Sequence, residues 1–258
     1  MSNRIARSLA ILISATTIFI HAQAPHEFEV ASVKPNLAND RIVTVRLGPG
    51  GVFTATGYTL VLLIQRAYGV MDWNVSGGPS WIRTDRFDVT ARANVQGDLT
   101  EAKLQPMLAK LLADRFKLKL HRSSSQTAGY ALEIAKGGPK VKPSADAEEH
   151  QDTFRFTNAG LNFQGISMRN FARFFGGKLG VIVVDETGLP GLYDLKMDWK
   201  VDSDRTAADF PGADPREPLR EAAFDALQKQ LGLKAVPKKV TIEMLVIDHA
   251  EKASASQN

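Results

Sequence analysis

Residues 51–70 have the sequence GVFTATGYTLVLLIQRAYGV. Up to Tyr58 the apolar and polar residues alternate, as they do in a half-buried strand. From Thr59 to Tyr68 the apolar residues recur every three or four positions, which is typical of an amphipathic helix. Gly69 follows, and glycine is common at the C-terminal end of a helix. Residues 87–92, FDVTAR, alternate again. We therefore predict a strand, a helix and a further strand in this order.

The same order of elements recurs later in the chain. Residues 160–181 have the sequence GLNFQGISMRNFARFFGGKLGV, and residues 193–198 have the sequence YDLKMD. Both stretches place glycines before and after the helical pattern, and both start the last strand with an aromatic residue followed by aspartate. Recurrence in this order, at a nearly constant spacing, indicates two copies of one folding unit.

We predict the α+β class, with two tandem similar subdomains in which a mainly antiparallel sheet carries its helices on one face. Each half should have the order strand, strand, helix, strand, strand, helix, strand, strand. The predicted segments are a signal peptide at 1–24, a first repeat at 25–136, a linker at 137–152, a second repeat at 153–249 and a disordered tail at 250–258.

The remaining elements follow from the same periodicities. Four residues on apolar helical stripes, Leu63, Leu111, Phe171 and Leu227, are predicted to lie in the core. The predicted elements are a hairpin joining 42–47 to 52–55, helices at 104–115, 168–179 and 217–231, strands at 116–120, 130–134, 232–236 and 240–247, a turn at 237–239, and a surface loop at 201–216.

The first 24 residues have the pattern of an export signal. Arg4 and Arg7 precede the apolar run 9–20, which is short for a membrane span, and Ala22-Gln23-Ala24 has the small-x-small cleavage pattern. We expect cleavage after Ala22 or Ala24, a periplasmic or secreted protein, and no transmembrane segment after processing. An uncleaved membrane anchor is the alternative.

The amino-acid composition excludes several kinds of functional site. The chain has no cysteine, so disulfides, cysteine nucleophiles and zinc-thiolate sites are excluded. Its formal net charge is +4, and no sustained basic stripe is interleaved with aromatic residues, so we expect no nucleic-acid partner. The five histidines do not have metal-ligand spacing. We expect no metal and no cofactor.

Several ordered motifs carry a resemblance to a known family. They are FEVASVKPN at 28–36, GPSW at 78–81, VDETGLPGLYD at 184–194, LQKQLGLK at 227–234 and VIDH at 246–249. Together they resemble the soil-associated protein family expanded in Acidobacteria, domain of unknown function 3738. The resemblance implies an exported protein without an established activity. Some members of that family look like domains appended to membrane metallopeptidases of the antibiotic-sensor type.

Four residues are the candidate binding residues. Trp73 and Trp81 lie in a loop rich in Gly and Pro, and loops of this kind often carry recognition residues. We expect this loop to border a groove between the two halves, although Trp81 could instead be buried. Asp185 and Asp194 are the candidate acidic residues, and a turn and a strand start are their structural alternatives. No catalytic residue is predicted.

We predict an exported protein whose molecular activity the sequence does not reveal, and which acts as a non-enzymatic binding or interaction protein of the cell envelope. Its partner would be an envelope protein, a peptide or a glycan. Two alternatives stand beside it: an envelope hydrolase that uses carboxylate catalysis, and a sensory module that acts with a membrane metallopeptidase. Paired carboxylates in a deep cleft would favour the hydrolase. A groove with apolar surface would favour the binding protein.

Overall fold

The computed structural model describes residues 27–38, 42–95, 99–145, 153–157, 160–199 and 214–253, with the backbone alone for 153–157. The predicted leader, most of the predicted loop at 201–216, and parts of the predicted linker and tail lie outside these residues. Within them the protein belongs to the α+β class and has three four-stranded sheets and four α-helices. None of the described helices is long and apolar enough to cross a membrane.

The described residues of the first half form six strands and two α-helices. They are β1 Phe28–Pro35, β2 Thr44–Gly48, β3 Val52–Thr59, α1 Leu60–Tyr68, β4 Val75–Gly77, β5 Arg86–Ala93, α2 Glu101–Phe116 and β6 Lys119–Ile134. The predicted hairpin is present as β2 and β3. Short 3₁₀ turns at Asp72–Asn74 and Ser80–Arg83 lie on either side of β4.

The second half contains six strands and two α-helices among its described residues. They are β7 Lys142–Pro143, β8 Thr153–Thr157, β9 Gly160–Ile166, α3 Met168–Leu179, β10 Val183–Asp185, β11 Tyr193–Asp198, α4 Glu217–Leu231 and β12 Leu233–His249. Helices α3 and α4 have the predicted bounds. Strand β7 lies inside the segment predicted to be a linker, where it pairs with β11.

The strands form two antiparallel sheets and one mixed sheet. The first sheet has the order β1-β5-β3-β2, and the second has the order β7-β11-β9-β8. The third sheet has the order β10-β6-β12-β4, in which β6 and β12 are antiparallel, β10 is parallel to β6, and β4 is parallel to β12.

The last two predicted strands of each half are in fact one long strand. Strand β6 continues through Ser123–Ser125, and β12 continues through the predicted turn Pro237–Lys239, where Pro237 is paired with Tyr130. Both segments are exposed. Exposure, and not a change in chain direction, explains their turn-like composition.

The two halves exchange strands in the third sheet. Strand β4 comes from the first half and pairs with β12, whereas β10 comes from the second half and pairs with β6. The cores are shared in the same way. Leu245 and Ile247 of β12 are buried in the first core, and Leu132 of β6 is buried in the second. Neither core is complete without residues from the other half.

A β-bulge at a glycine precedes helix α1, and an equivalent β-bulge precedes α3. Gly57 has a φ of +69°, and its amide donates to Asp88 Oδ1 at 2.9 Å. Gly165 has a φ of +63°, and its amide donates to Asp194 Oδ1 at 3.0 Å. The left-handed conformation that favours glycine bends the strand out of its ladder, and the carboxylate satisfies the amide that the bend releases.

Each bulge is followed within two residues by a helix cap. The hydroxyl of Thr59 accepts from the amide of Leu62 at the start of α1, and the hydroxyl of Ser167 accepts from the amide of Asn170 at the start of α3. Such a cap stabilises a helix by about 0.5–2 kcal/mol relative to alanine. Bulge and cap together fix the direction in which each helix leaves its sheet.

The four predicted core residues are buried, with Leu111 the most exposed at 7%. We expect Leu63→Ala, Leu111→Ala, Phe171→Ala and Leu227→Ala each to lower the free energy of unfolding by about 2–5 kcal/mol, because each leaves a cavity. Urea unfolding measures the loss. Leu37→Ala is the control, because Leu37 is 92% exposed and its loss should change stability little. Equal midpoints for all five variants would contradict this account of the cores.

Gly57 and Gly50 offer a matched test of the bulge. Both have a φ of +69°, but a Cβ at Gly57 would overlap the carbonyl oxygen of Ile42, whereas a Cβ at Gly50 would meet nothing within 4 Å. Gly50→Ala should cost about 1–2 kcal/mol, the cost of left-handed backbone. Gly57→Ala should cost about 1–3 kcal/mol more through overpacking. Thermal unfolding measures the loss of stability. An equal loss for both variants would show that Gly57 is not required for steric reasons.

Candidate functional site

A groove with a volume of about 460 Å³ lies between helices of the two halves. Helices α1 and α2 of the first half form one wall, α3 of the second half forms the other, and Tyr58 at the end of β3 closes one side. On α1, the residues Leu62, Gln65 and Arg66 line it. They recur at the three- and four-residue spacing of one helix face. The core residues Leu63, Ile64 and Ala67 occupy the opposite face.

Arg66 and Glu101 form an ion pair across the first wall of the groove. Glu101 is the first residue of α2, so the ion pair ties that helix start to the middle of α1. The Arg66 side chain is 22% exposed and that of Glu101 is 42% exposed, so both still reach the groove. A carboxylate at a helix N-terminus is also favoured by the helix dipole.

Two tyrosines add hydroxyl groups to the lining. Burial raises the pKa of Tyr58, the charge of Arg66 lowers it, and the charge of Glu101 raises it further; the guanidinium of Arg66 also donates to the Tyr58 hydroxyl oxygen, which lowers it. Burial likewise raises the pKa of Tyr68, with Arg122 opposing it. Since an unperturbed tyrosine already titrates near pH 10, both phenols are neutral at pH 7 and can donate hydrogen bonds.

Arg173 lies on the second wall and connects it to the first. Its guanidinium donates to the carbonyl oxygen of Gly69, the residue that ends α1. The same guanidinium lies 4.5 Å from the centre of the Phe174 ring, and Phe174 in turn stacks on Phe163 at 6.0 Å. A guanidinium over an aromatic face is held by a cation–π attraction. These contacts give Arg173 a defined position at the groove.

The groove also has accessible apolar surface. Leu62, Val70, Met71 and Phe174 line it and are all partly buried, so part of each side chain remains open. The methyl group of Met71 packs on α3 at Gly177, where a Cβ would overlap it. A larger residue at 177 would therefore have to displace the end of the Met71 side chain.

The described lining carries two guanidinium groups and one carboxylate. Arg66, Arg173 and Glu101 are its charged members, which leaves one net positive charge. Glu101 is the single acidic residue among the described residues that line the groove. The lining thus combines apolar surface, neutral hydroxyl and amide groups, and an excess of positive charge.

Neither Trp73 nor Trp81 lines the groove. Of the loop that was predicted to border the groove, Val70 and Met71 at its start line it. The rest of the loop is held elsewhere: Asn74 Nδ2 donates to the carbonyl of Glu243 at 2.7 Å, and β4 pairs with β12. These bonds carry Trp73 and Trp81 toward the third sheet.

The two tryptophans have different surroundings. Trp81 stacks on Phe116 at 6.3 Å, packs edge to face with Phe87 at 6.2 Å, and has Lys252 Nζ 5.9 Å from its ring. Trp73 is partly exposed in the 3₁₀ turn Asp72–Asn74. Both tryptophans are partly exposed, and Trp81 packs against the first core.

The two predicted aspartates hold local structure in different sheets. Asp185 Oδ1 accepts from the amide and the hydroxyl of Thr187, at 2.9 and 2.7 Å, and so fixes the turn after β10. Asp194 holds the bulge at Gly165. Neither lines the groove.

Sequence reasoning missed Arg66, Glu101, Arg173 and Phe174. One signal was available. Counted from their capping residues, α1 and α3 place the same positions in the groove: Leu62, Gln65 and Arg66 on α1, and Asn170, Arg173 and Phe174 on α3. The face of each helix that lies opposite the core stripe would have indicated these residues as candidates. The sequence does not indicate that these faces of α1 and α3 approach each other.

Comparison with known proteins identified one family. A family model described as a protein of unknown function, DUF3738, matches residues 61–250. The match covers most of both halves and all the groove residues named above except Tyr58, and it confirms the domain that the sequence motifs predicted. No curated protein and no solved structure matched the chain.

We expect Trp81→Ala to destabilise the protein more than Trp73→Ala. Trp81 loses two aromatic contacts, each worth about 0.5–1.5 kcal/mol beyond the area that it buries. Urea unfolding measures the difference, and Trp81→Phe, which keeps an aromatic ring, should recover part of the loss. If Trp73→Ala proved the more destabilising of the two, Trp81 would not support the first core as described.

Proposed function

The chain belongs to the DUF3738 family of proteins of unknown function, and from this premise we propose that it is an exported, non-enzymatic binding protein of the cell envelope whose ligand lies in the groove between α1, α2 and α3. The proposal rests on the size and lining of the groove. Its volume of about 460 Å³ lies within the range of about 300–1,000 Å³ that is usual for small-molecule sites. Apolar walls with a few convergent polar groups are also typical of such sites.

The charged groups of the groove favour binding over carboxylate hydrolysis. Glycoside hydrolysis with carboxylates needs two of them, about 5–10 Å apart, on either side of the bond that breaks. The described lining offers Glu101, whose carboxylate is paired with Arg66. Tyr58, the hydroxyl beside this pair, has a raised pKa, which disfavours a phenolate nucleophile. A ligand-binding role uses all of these groups without requiring a second acid.

We propose further that the halves are two copies of one unit. Corresponding strands follow one another in the same spatial order, β1-β5-β3-β2 and β7-β11-β9-β8. In both halves a glycine bulge bonded to an aspartate precedes a helix capped by a hydroxyl. Strands β4 and β10 also have matching places in the third sheet. On this proposal the second copy begins at β7, and α1 and α3, which face each other across the groove, are equivalent helices.

The cellular site is proposed from the sequence. The basic residues, apolar run and small-x-small pattern at 1–24 support export, as does the resemblance to an exported soil-associated family of Acidobacteria. A peptide or glycan fragment of the envelope would then be able to reach the groove.

The methyl group of Met71 provides a direct test. We expect a ligand in the groove to shift the ¹³C-methyl resonance of Met71, because this side chain lines it. The resonances of Met107 and Met197 are internal controls, since these residues are 2% and 0% exposed in the two cores. The ligands tested are a fragment library with neutral, anionic and cationic members, peptidoglycan peptides and envelope oligosaccharides.

A filled groove is the matched control. Gln105 lines the groove from α2 and is partly exposed, so Gln105→Trp should occupy the space with little effect on stability, and should abolish the Met71 shifts. If no member of the library moved Met71 in the unmodified protein, or if Gln105→Trp left the shifts unchanged, the groove would not be the binding site.

A further inference from the structure

We propose that two copies of the chain associate through strand β2, which pairs antiparallel with its own copy about a twofold axis at Val45. Strand β2 forms one edge of the first sheet, so its outer side presents backbone N–H and C=O groups that no described strand takes up. Pairing at this edge joins two four-stranded sheets into one. None of the described residues that line the groove belongs to β2, so this inference does not depend on the proposed function.

The core side of the first sheet is incompletely covered at β2. Leu47 lies opposite Phe53, and Val45 lies opposite Ala55. Since Phe53 and Ala55 are buried in the first core, Leu47 and Val45 point to the core side as well. Val43 precedes the strand and shares this side, because alternate residues of an extended chain share a face. Yet Val43 is 43% exposed and Leu47 is 38% exposed, so apolar surface remains open along the edge.

The other edge strands whose side chains are described are less suited to pairing. Strand β1 carries the exposed charges of Glu29 and Lys34, ends at Pro35, and has a register shift near its start. Charges, proline and bulges all hinder the addition of a strand. Strands β4 and β10 have three residues each, and β7 has two. Strand β2, by contrast, pairs with β3 along its whole length without a register shift.

The backbone of β2 directs its free groups from the same residues that carry the open apolar surface. The carbonyl oxygen of Ile42 lies against Gly57 on the β3 side. The backbone groups of successive residues in an antiparallel strand point alternately to its two sides. Val43, Val45 and Leu47 therefore direct their N–H and C=O groups away from β3. A partner strand would meet hydrogen-bonding groups and apolar side chains at the same three positions.

The sequence of β2 is complementary to itself in one register. A twofold axis leaves one residue of an antiparallel pair opposite its own copy. With Val45 on the axis, Val43 lies opposite Leu47 of the other copy, and Thr44 lies opposite Arg46. With Arg46 on the axis, the two arginines would lie opposite each other, and like charges in this position are destabilising. With Thr44 on the axis, Leu47 would have no apolar residue opposite it.

The size of this contact sets the strength that we expect. Residues 42–48 of each copy form the paired region, which is smaller than the 20–30 residues on each side of a standard stable interface. The dimer should therefore be weak and reversible, and its population should rise with protein concentration.

Sedimentation velocity between about 10 μM and 1 mM tests the association. We expect the sedimentation coefficient of the unmodified protein to rise from that of a monomer toward that of a dimer. Leu47→Lys places a charge in the apolar row and should abolish the rise. Val30→Lys is the matched control, because Val30 is 66% exposed on β1 at the opposite edge of the same sheet. It should leave the rise unchanged.

Introduced cysteines test the register, because the chain has no cysteine of its own. The Cα atoms of a hydrogen-bonded antiparallel pair are about 5.5 Å apart, a distance that a disulfide spans. Val45→Cys should therefore form a disulfide-linked dimer under mild oxidation, at least about tenfold faster than Arg46→Cys, whose partner is Thr44. A mixture of Val43→Cys and Leu47→Cys should give the mixed dimer, and neither variant should cross-link efficiently alone.

Each outcome decides for or against the proposal. A monomer at every concentration would overturn it and would leave the edge to a strand of another protein. Cross-linking of Arg46→Cys as fast as that of Val45→Cys would overturn the register. Loss of the dimer in Val30→Lys but not in Leu47→Lys would place the contact on another surface. Should Leu47→Lys fail to fold by circular dichroism, the concentration series on the unmodified protein and the cysteine variants still decide.

Discussion

The structure depends on the pairing of β6 with β12. These two long strands run antiparallel from Lys119 to Ile134 and from Leu233 to His249, and each of the other two strands in the third sheet is added to one of them. Because β4 and β10 are added to the strand of the opposite half, the ribbon joins the halves through backbone hydrogen bonds as well as through side chains. The shared cores follow from this exchange, since Leu245, Ile247 and Leu132 are carried into them by the same two strands.

The groove is a consequence of that arrangement. With both halves fixed to one ribbon, α1 and α3 face each other without packing tightly, and a small number of side chains bridge them. Arg173 reaches the end of α1 at Gly69, and Met71 reaches α3 at Gly177. Bridges of this kind hold the walls at a set separation while leaving space between them. The groove is thereby formed before any ligand arrives, which reduces the cost of binding.

Local elements could be predicted from the sequence, but their long-range pairing could not. The bounds of α3 and α4 were predicted because each has a periodic apolar stripe and ends at a glycine, Gly180 or Gly232, in the left-handed conformation. The continuity of β6 was not predicted, because an exposed strand such as Ser123–Gln126 has the composition of a turn. Arg66 and Glu101 look like ordinary surface residues of two helices, and only the packing of α1 against α2 brings them together. The packing of Trp81 on the first core depends on contacts with Phe87 and Phe116, which local sequence does not record.

The exchange of strands also has a consequence for the time course of folding. The first core cannot close until β12 is available, since β4 docks on a strand that lies near the other end of the chain: Asn74 and Glu243, which are hydrogen bonded, are 169 residues apart in sequence. Contacts of such separation slow folding, because the chain must lose the entropy of a large loop before it gains them. During synthesis, a polypeptide of this design cannot complete the first core until β12 has left the ribosome. Delayed closure would suit the export proposed above, because a polypeptide has to stay unfolded while it is threaded through a membrane.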